Sequence, residues 1–187
     1  MKQFILVLGG ARSGKSSYAV DLAKKLKKRT VFIATATVSD SEMEKRIKLH
    51  KKVRPRQWKL IEESKDISLI LPKLKGKYGV VLIDCLGLLI SNLLADNLED
   101  KKIEMRIKKL ISTILKLKVT TILVSNEVGM GIVPISPLAR RFRDLVGLSN
   151  QMIAKNADKV IFMQAGIPLI IKRGKKDAKI KKNNRGD

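Results

Sequence analysis

The apolar positions of the chain fall into short unbroken runs, Phe4–Leu8, Val31–Ala34, Val80–Ile83, Thr121–Val124, Val160–Met163 and Leu169–Ile171. Runs that do not alternate with polar residues are the pattern of strands buried on both faces. Between them, apolar residues recur at helical spacing and predict helices over Lys15–Lys28, Glu42–Lys52, Leu86–Ala95, Lys101–Leu117 and Pro137–Asn156. Strand and helix alternate along the chain, which predicts an α/β fold: a mostly parallel sheet flanked by helices, closing with a β-hairpin around Gly166 and Pro168. No internal repeat interrupts this order. Residues 1–172 are therefore expected to form one domain. Beyond Arg173 the apolar periodicity stops and lysines dominate, so 173–187 is expected to be a basic, disordered tail.

Composition narrows the partners. The chain has 187 residues with 40 Lys+Arg against 17 Asp+Glu, a formal net charge of +23 that suits nucleic acid, an acidic membrane or a polyphosphate ligand. Aromatics are only 4%, too few for base-stacking platforms, and much of the charge lies on lysine-rich helical faces such as Lys24, Lys25, Lys27 and Lys28. Neither nucleic acid nor membrane insertion is therefore expected. The single Cys85 excludes an intramolecular disulfide, and no run approaches the about 20 apolar residues of a membrane span. The N-terminal apolar run is too short for a secretory leader, so a cytoplasmic location is expected.

The segment Gly9, Gly10, Ala11, Arg12, Ser13, Gly14, Lys15, Ser16 fits the phosphate-binding pattern G-x-x-x-x-G-K-[ST], placed between a predicted strand and a predicted helix. Its glycines allow successive N–H groups and the helix N-terminus to face a phosphate chain. Lys15 would reach the β/γ-phosphates, and the Ser16 hydroxyl would ligate Mg²⁺. The strand Val80–Ile83 ends in Asp84, the place from which a carboxylate holds that ion in phosphate-loop enzymes.

Ser41 and Glu44 form a capping box that starts the helix at Glu42. Met43, Ile47 and His50 then share one face, a spacing equally compatible with a core histidine. Lys51, Lys52 and Arg54 follow directly. Such cations would bind a triphosphate and favour the neutral imidazole, which is the nucleophilic form. Trp58 and Glu62 lie on a short extended run and could meet a nucleoside or merely anchor the surface. The loop Ser125–Pro134 follows a predicted strand, so Asn126 and Glu127 belong to the ligand-facing edge, where they could orient a substrate hydroxyl. The next helix carries Arg140, Arg141, Arg143 and Asp144, a stripe that could equally serve a subunit contact.

Taken together, GGARSGKSSYA, FIATA, EMEKRIKLHKKVRPRQWKLIEE, VLIDCLGLLISNLL and SNEVGMGIVPISPLARRFRDLVGLSNQMIAKNADKVIFMQAGIPLIIK resemble the bifunctional adenosylcobinamide kinase/adenosylcobinamide-phosphate guanylyltransferase family of cobalamin biosynthesis. The resemblance runs from Leu6 to Lys172. It implies a RecA-like P-loop NTPase fold, a homotrimer, and ATP and GTP as substrates with Mg²⁺. It implies nucleotide contacts at Gly9 to Ser16, at Thr35, Ala36 and Thr37, at Lys51, Lys52, Val53 and Arg54, and at Glu62 and Asp84. His50 is the residue implied to carry GMP between GTP and adenosylcobinamide phosphate, with adenosylcobinamide first phosphorylated by a nucleoside triphosphate. The basic tail departs from the family pattern. Two other readings explain less: a different P-loop small-molecule kinase with a structural His50, and a nucleotide-regulated nucleic-acid-binding protein. Neither accounts for the histidine segment.

Overall fold

The computed structural model describes residues 2–37 and 54–174. Its strands are β1 (Phe4–Gly9), β2 (Thr30–Ala34), β3 (Lys59–Glu62), β4 (Val80–Asp84), β5 (Thr120–Asn126), β6 (Lys159–Gln164) and β7 (Ile167–Lys172). The helices are α1 (Lys15–Lys25), a one-turn α2 (Ile67–Ile70) continued as a 3-10 turn over Leu71–Leu74, α3 (Leu86–Ala95), α4 (Asp100–Leu117) and α5 (Pro137–Asn156). They build one seven-stranded sheet in the order β3-β2-β4-β5-β1-β6-β7, parallel except for the last strand.

Neighbouring side chains of the inner strands enter opposite cores, which is why those strands read as continuous apolar runs, whereas β7 is exposed along its length. On one face Phe4, Leu6, Leu8, Val81, Ile83 and Leu123 meet α3, α4 and α5. On the other Ile5, Val7, Phe32, Leu82 and Ile122 meet Ala19, Val20 and Ala23 of α1. Small residues on α1 let it lie close to the sheet and bring its N-terminus to the end of β1.

Where the fold differs from the sequence expectation, tertiary contacts decide. The first helix stops at Lys25 rather than Lys28: Leu26 N–H turns back to Ala23 C=O, Lys27 N–H to Lys24 C=O, and Lys27 takes φ 50°. A lysine run carries no apolar periodicity to mark that end. The extended run near Trp58 is a true edge strand, β3, paired with β2 from Val31↔Lys59 to Ala34↔Glu62. The turn from Ile67 to Leu74 went unpredicted because four-residue helices are too short to show a period. The closing hairpin turns at Ala165 and Gly166, both at positive φ, while Pro168 lies inside β7, where an edge strand tolerates a missing N–H. The helix expected over Glu42–Lys52 lies outside the described residues, as does the tail from Lys175 onward. No helix among the described residues is long and apolar enough to cross a membrane.

Candidate nucleotide-binding site

Parallel pairing gathers the carboxyl ends of the strands at one edge. Gly9 aligns with Asn126, and Ala34 aligns with both Asp84 and Glu62. Distant segments therefore deliver Gly9–Ser16, Thr35–Thr37, Glu62, Asp84 and Asn126–Glu127 to the same side of the sheet, as ligand sites in such folds require.

The loop after β1 is shaped by what holds its carbonyls. Gly9 C=O accepts from Glu127 N–H at 2.9 Å, Gly10 C=O from Ser13 N–H and from Lys15 Nζ at 2.9 Å, Ser13 C=O from Gly166 N–H at 3.1 Å, and Gly14 C=O from Tyr18 N–H at 2.9 Å. Two residues need glycine for different reasons. At Gly9 a Cβ would come within 2.8 Å of the Met163 carbonyl oxygen, whereas Gly14 takes φ 87° where α1 begins. Ala11 and Arg12 are exposed at the tip of the loop, while Ser13 is buried with no hydrogen-bond partner for its hydroxyl.

Burial lowers the pKa of Lys15, and the acidic groups Cys85 and Asp84 beside it oppose that shift. The ammonium thus sits among acidic groups at the end of β4. Thr35, fully buried, holds that end in place: its hydroxyl donates to Cys85 C=O and accepts from Cys85 N–H, both at 2.7 Å, and its N–H donates to Asp84 C=O. Burial, then the Asp84 carboxylate, pushes the Cys85 thiol up to about 12, which keeps it neutral. Asn92 of α3 ties the same region together, donating to Thr35 C=O at 2.8 Å and Ser64 C=O at 3.1 Å and accepting from the Thr37 hydroxyl at 3.2 Å. Arg54 stacks its guanidinium over the Phe32 ring at 5.4 Å, and Trp58 packs against the α1-side core. Ala36 lies between Thr35 and Thr37, and Ser16 occupies the second position of α1. His50, Lys51, Lys52 and Val53 lie outside the described residues.

Beyond β5 the loop is held at its base by Asn150 and Arg143 and at its far end by Arg140. Asn150 of α5 accepts from the Ser125 hydroxyl at 2.6 Å and donates to Asn126 C=O at 2.9 Å. Glu127 Oε1 accepts from Gly129 N–H, and Arg143 donates to Gly129 C=O at 2.7 Å. Farther along, Met130, Ile132, Val133 and Ile135 stand in solvent, with Ile132 and Ile135 each 96% exposed. The α5 arginines bind within the chain: Arg140 donates to the carbonyls of Pro134 and Ile135, and Arg141 pairs with Asp100 at 2.6 Å.

The family model for cobinamide kinase / cobinamide phosphate guanyltransferase matches residues 5–171. The chain belongs to this family. It is 38% identical over 167 residues to the bifunctional adenosylcobalamin biosynthesis protein CobP of Pseudomonas aeruginosa, covering 89% of this chain and 96% of the relative. It is 38% identical over 180 residues to the corresponding CobU of Escherichia coli, covering 90% and 99%. Among solved structures, an ATPase domain superposes with a TM-score of 0.54 at 13% identity over 93% of this chain and 78% of that one. A KaiC-like protein from Pyrococcus horikoshii does so with 0.52 at 17% identity over 92% and 80%. These likenesses establish the P-loop NTPase fold.

In this cobinamide kinase/guanyltransferase chain, sequence reasoning missed the Thr35–Cys85–Asn92 cluster and the contact of the closing hairpin with the phosphate loop. A polar Asn92 on an otherwise leucine-rich helix was the available signal for the first. The second joins residues about 150 positions apart and left no local signal. A groove of about 530 Å³ between Asp96 and Lys109 is lined mainly by charged side chains and includes none of the expected site residues. The chemistry at the sheet edge, not cavity size, locates the site.

Proposed function

We propose that this chain phosphorylates adenosylcobinamide with a nucleoside triphosphate and then transfers GMP from GTP to the product through His50, giving adenosylcobinamide-GDP. The observation that carries the reading is the convergence at one sheet edge of the Gly9–Ser16 loop, Lys15 and Asp84, in a chain matched by the family model over almost its whole length.

In the first step the substrate hydroxyl oxygen attacks the γ-phosphorus, its proton passes to solvent, the bond to the bridging oxygen breaks, and a nucleoside diphosphate leaves. Lys15 supplies charge to the transferring group, the loop N–H groups hold the phosphates, and Asn126 and Glu127 orient the hydroxyl at the neighbouring strand end. In the second step an imidazole nitrogen of His50 attacks the α-phosphorus of GTP and pyrophosphate leaves. A phosphate oxygen of the phosphorylated substrate then attacks that phosphorus, breaking the P–N bond and freeing His50. Lys51, Lys52, Val53, Arg54, Thr35, Ala36, Thr37 and Glu62 complete the nucleotide contacts in this reading.

One hydroxyl, of Ser16, and one carboxylate, of Asp84, are the hard oxygen donors here, and such a sparse set fits Mg²⁺, which takes one or two protein oxygens and otherwise water and substrate phosphates. Ser16 and Asp84 would hold the ion, whose contribution is to neutralise charge on the phosphoryl oxygens. The exposed apolar loop Met130–Ile135 would receive the less polar corrinoid. The family's homotrimeric assembly and a cytoplasmic location complete the proposal.

Incubation with Mg²⁺ and α-labelled GTP, followed by denaturing electrophoresis, tests it. Acid-labile label on the wild type and none on His50→Ala is the expected result. Absence of label under conditions that support cobinamide phosphorylation would leave a kinase without the transferase step.

A further inference from the structure

Besides the pairing of β6 with β1, the turn of the closing hairpin makes a directional contact with the phosphate loop. The two-residue turn Ala165-Gly166 has φ 50° and 80°, the pair of positive values that suits a tight hairpin between β6 and β7. The flanking pair Gln164↔Ile167 closes the ladder, so Gly166 N–H takes no part in it. Instead it donates to Ser13 C=O at 3.1 Å. The approach is close, since a Cβ on Gly14 would lie 3.4 Å from Gly166 Cα. In a planar trans peptide the carbonyl and the following N–H point in opposite directions. Holding Ser13 C=O on the hairpin therefore turns the Gly14 N–H to the opposite side, away from β7, as a phosphate donor at the start of α1 must be turned.

We propose that Gly166 is a positioning residue for nucleotide binding: its N–H fixes the Ser13–Gly14 peptide so that one donor of the phosphate loop is aimed before the nucleotide arrives. The hairpin is thereby part of the nucleotide site although it touches no substrate. This rests on reading Gly9–Ser16 as the nucleotide site. Space does not explain the glycine, because nothing lies within 4 Å of a Cβ built there. The positive φ of 80° does.

Binding of ATP, ADP and adenosine to the full chain, measured by calorimetry beside thermal melting, tests the proposal. Gly166→Ala strains the turn, Ala165→Asn preserves it, and replacement of Gly166 by glycolic acid removes only the N–H. The glycolate variant, which keeps the turn geometry, is expected to weaken ATP and ADP binding about tenfold, the worth of one hydrogen bond to a charged ligand. Adenosine binding and cobinamide KM should stay unchanged, the melting temperature should fall by only about 2–4 °C, the cost of one lost internal hydrogen bond, and Ala165→Asn should bind like the wild type. Unaltered ATP affinity in the glycolate variant overturns the proposal, even where Gly166→Ala fails to fold. So does an equal loss for adenosine, which would mark a general defect. Lys15→Met separates the two levels: if it binds ATP as tightly as the wild type, the reading of the loop fails and the proposal falls with it, whereas a weakened Lys15→Met beside an unaffected glycolate variant refutes the hairpin's role alone.

Discussion

Two loops leave neighbouring strands at the same edge of the sheet and are built in opposite ways. After β1, four carbonyls between Gly9 and Gly14 accept hydrogen bonds from the protein, so the backbone is set before any ligand binds. After β5, the backbone is held at Asn126 and Gly129 and again at Pro134 and Ile135, while the side chains of Met130, Ile132, Val133 and Ile135 stand in water. A phosphate chain offers only oxygens and charge, so its recognition requires donors fixed in direction. An apolar surface is recognised by area removed from water, which has no direction and is served by apolar side chains that stand clear of the protein. The difference separates the part of the site suited to a polyphosphate from the part suited to a bulkier, less polar partner.

The comparison breaks most sharply at Lys15. Lys15→Met should reduce phosphorylation of cobinamide by about a thousandfold, the loss typical of removing a charge that acts on the transferring group. Initial-rate assays check this, and retention of activity within tenfold would remove the phosphate loop from the chemistry. Asn150→Ala comes next. It strips the hydroxyl of Ser125 and the carbonyl of Asn126 of a buried partner and should destabilise the chain by about 1–3 kcal/mol in urea unfolding. The double change Ile132→Ser with Ile135→Ser should raise cobinamide KM several-fold, leave nucleotide KM alone, and alter stability by no more than about 0.5 kcal/mol. An equal rise in nucleotide KM would dissolve the division between the loops.

A further effect concerns Cys85. Its thiol titrates near 12 in the folded chain against an ordinary value of 9.0, so between those values the folded chain binds the proton that the unfolded chain has lost. Its contribution to stability is complete below pH 9 and falls as pH rises toward 12. Unfolding of wild type and Cys85→Ala across pH 8 to 11 should show the steeper decline in the wild type, and a thiol reagent at pH 8 should label only the unfolded chain.

Much of this was legible beforehand because it is local. The continuous runs at Phe4–Leu8 and Val80–Ile83 announced strands buried on both faces, and Gly9–Ser16 announced its own turn. The edge strand β3 was harder, since Lys59 and Glu62 are exposed and only Leu60 and Ile61 are partly covered. Thr35 reads as an ordinary residue after a strand, and its clamp on Cys85 exists only because β2 and β4 are neighbours. The α5 arginines illustrate the same limit: their charge was visible, but their partners at Pro134, Gly129 and Asp100 depend on how α5 lies across the sheet. Assignment of His50 rests on chemistry and family resemblance.

Lys15 rests on the Gly10 carbonyl, 2.9 Å from it. That carbonyl is a competitor for the same ammonium that a nucleotide must recruit, and it gives the side chain a place to return to once phosphoryl transfer is complete. A diphosphate leaving the loop would thus meet a competitor for Lys15 already in position. In an enzyme proposed to run two reactions, rapid clearance of the first product counts toward turnover as much as the transfer itself.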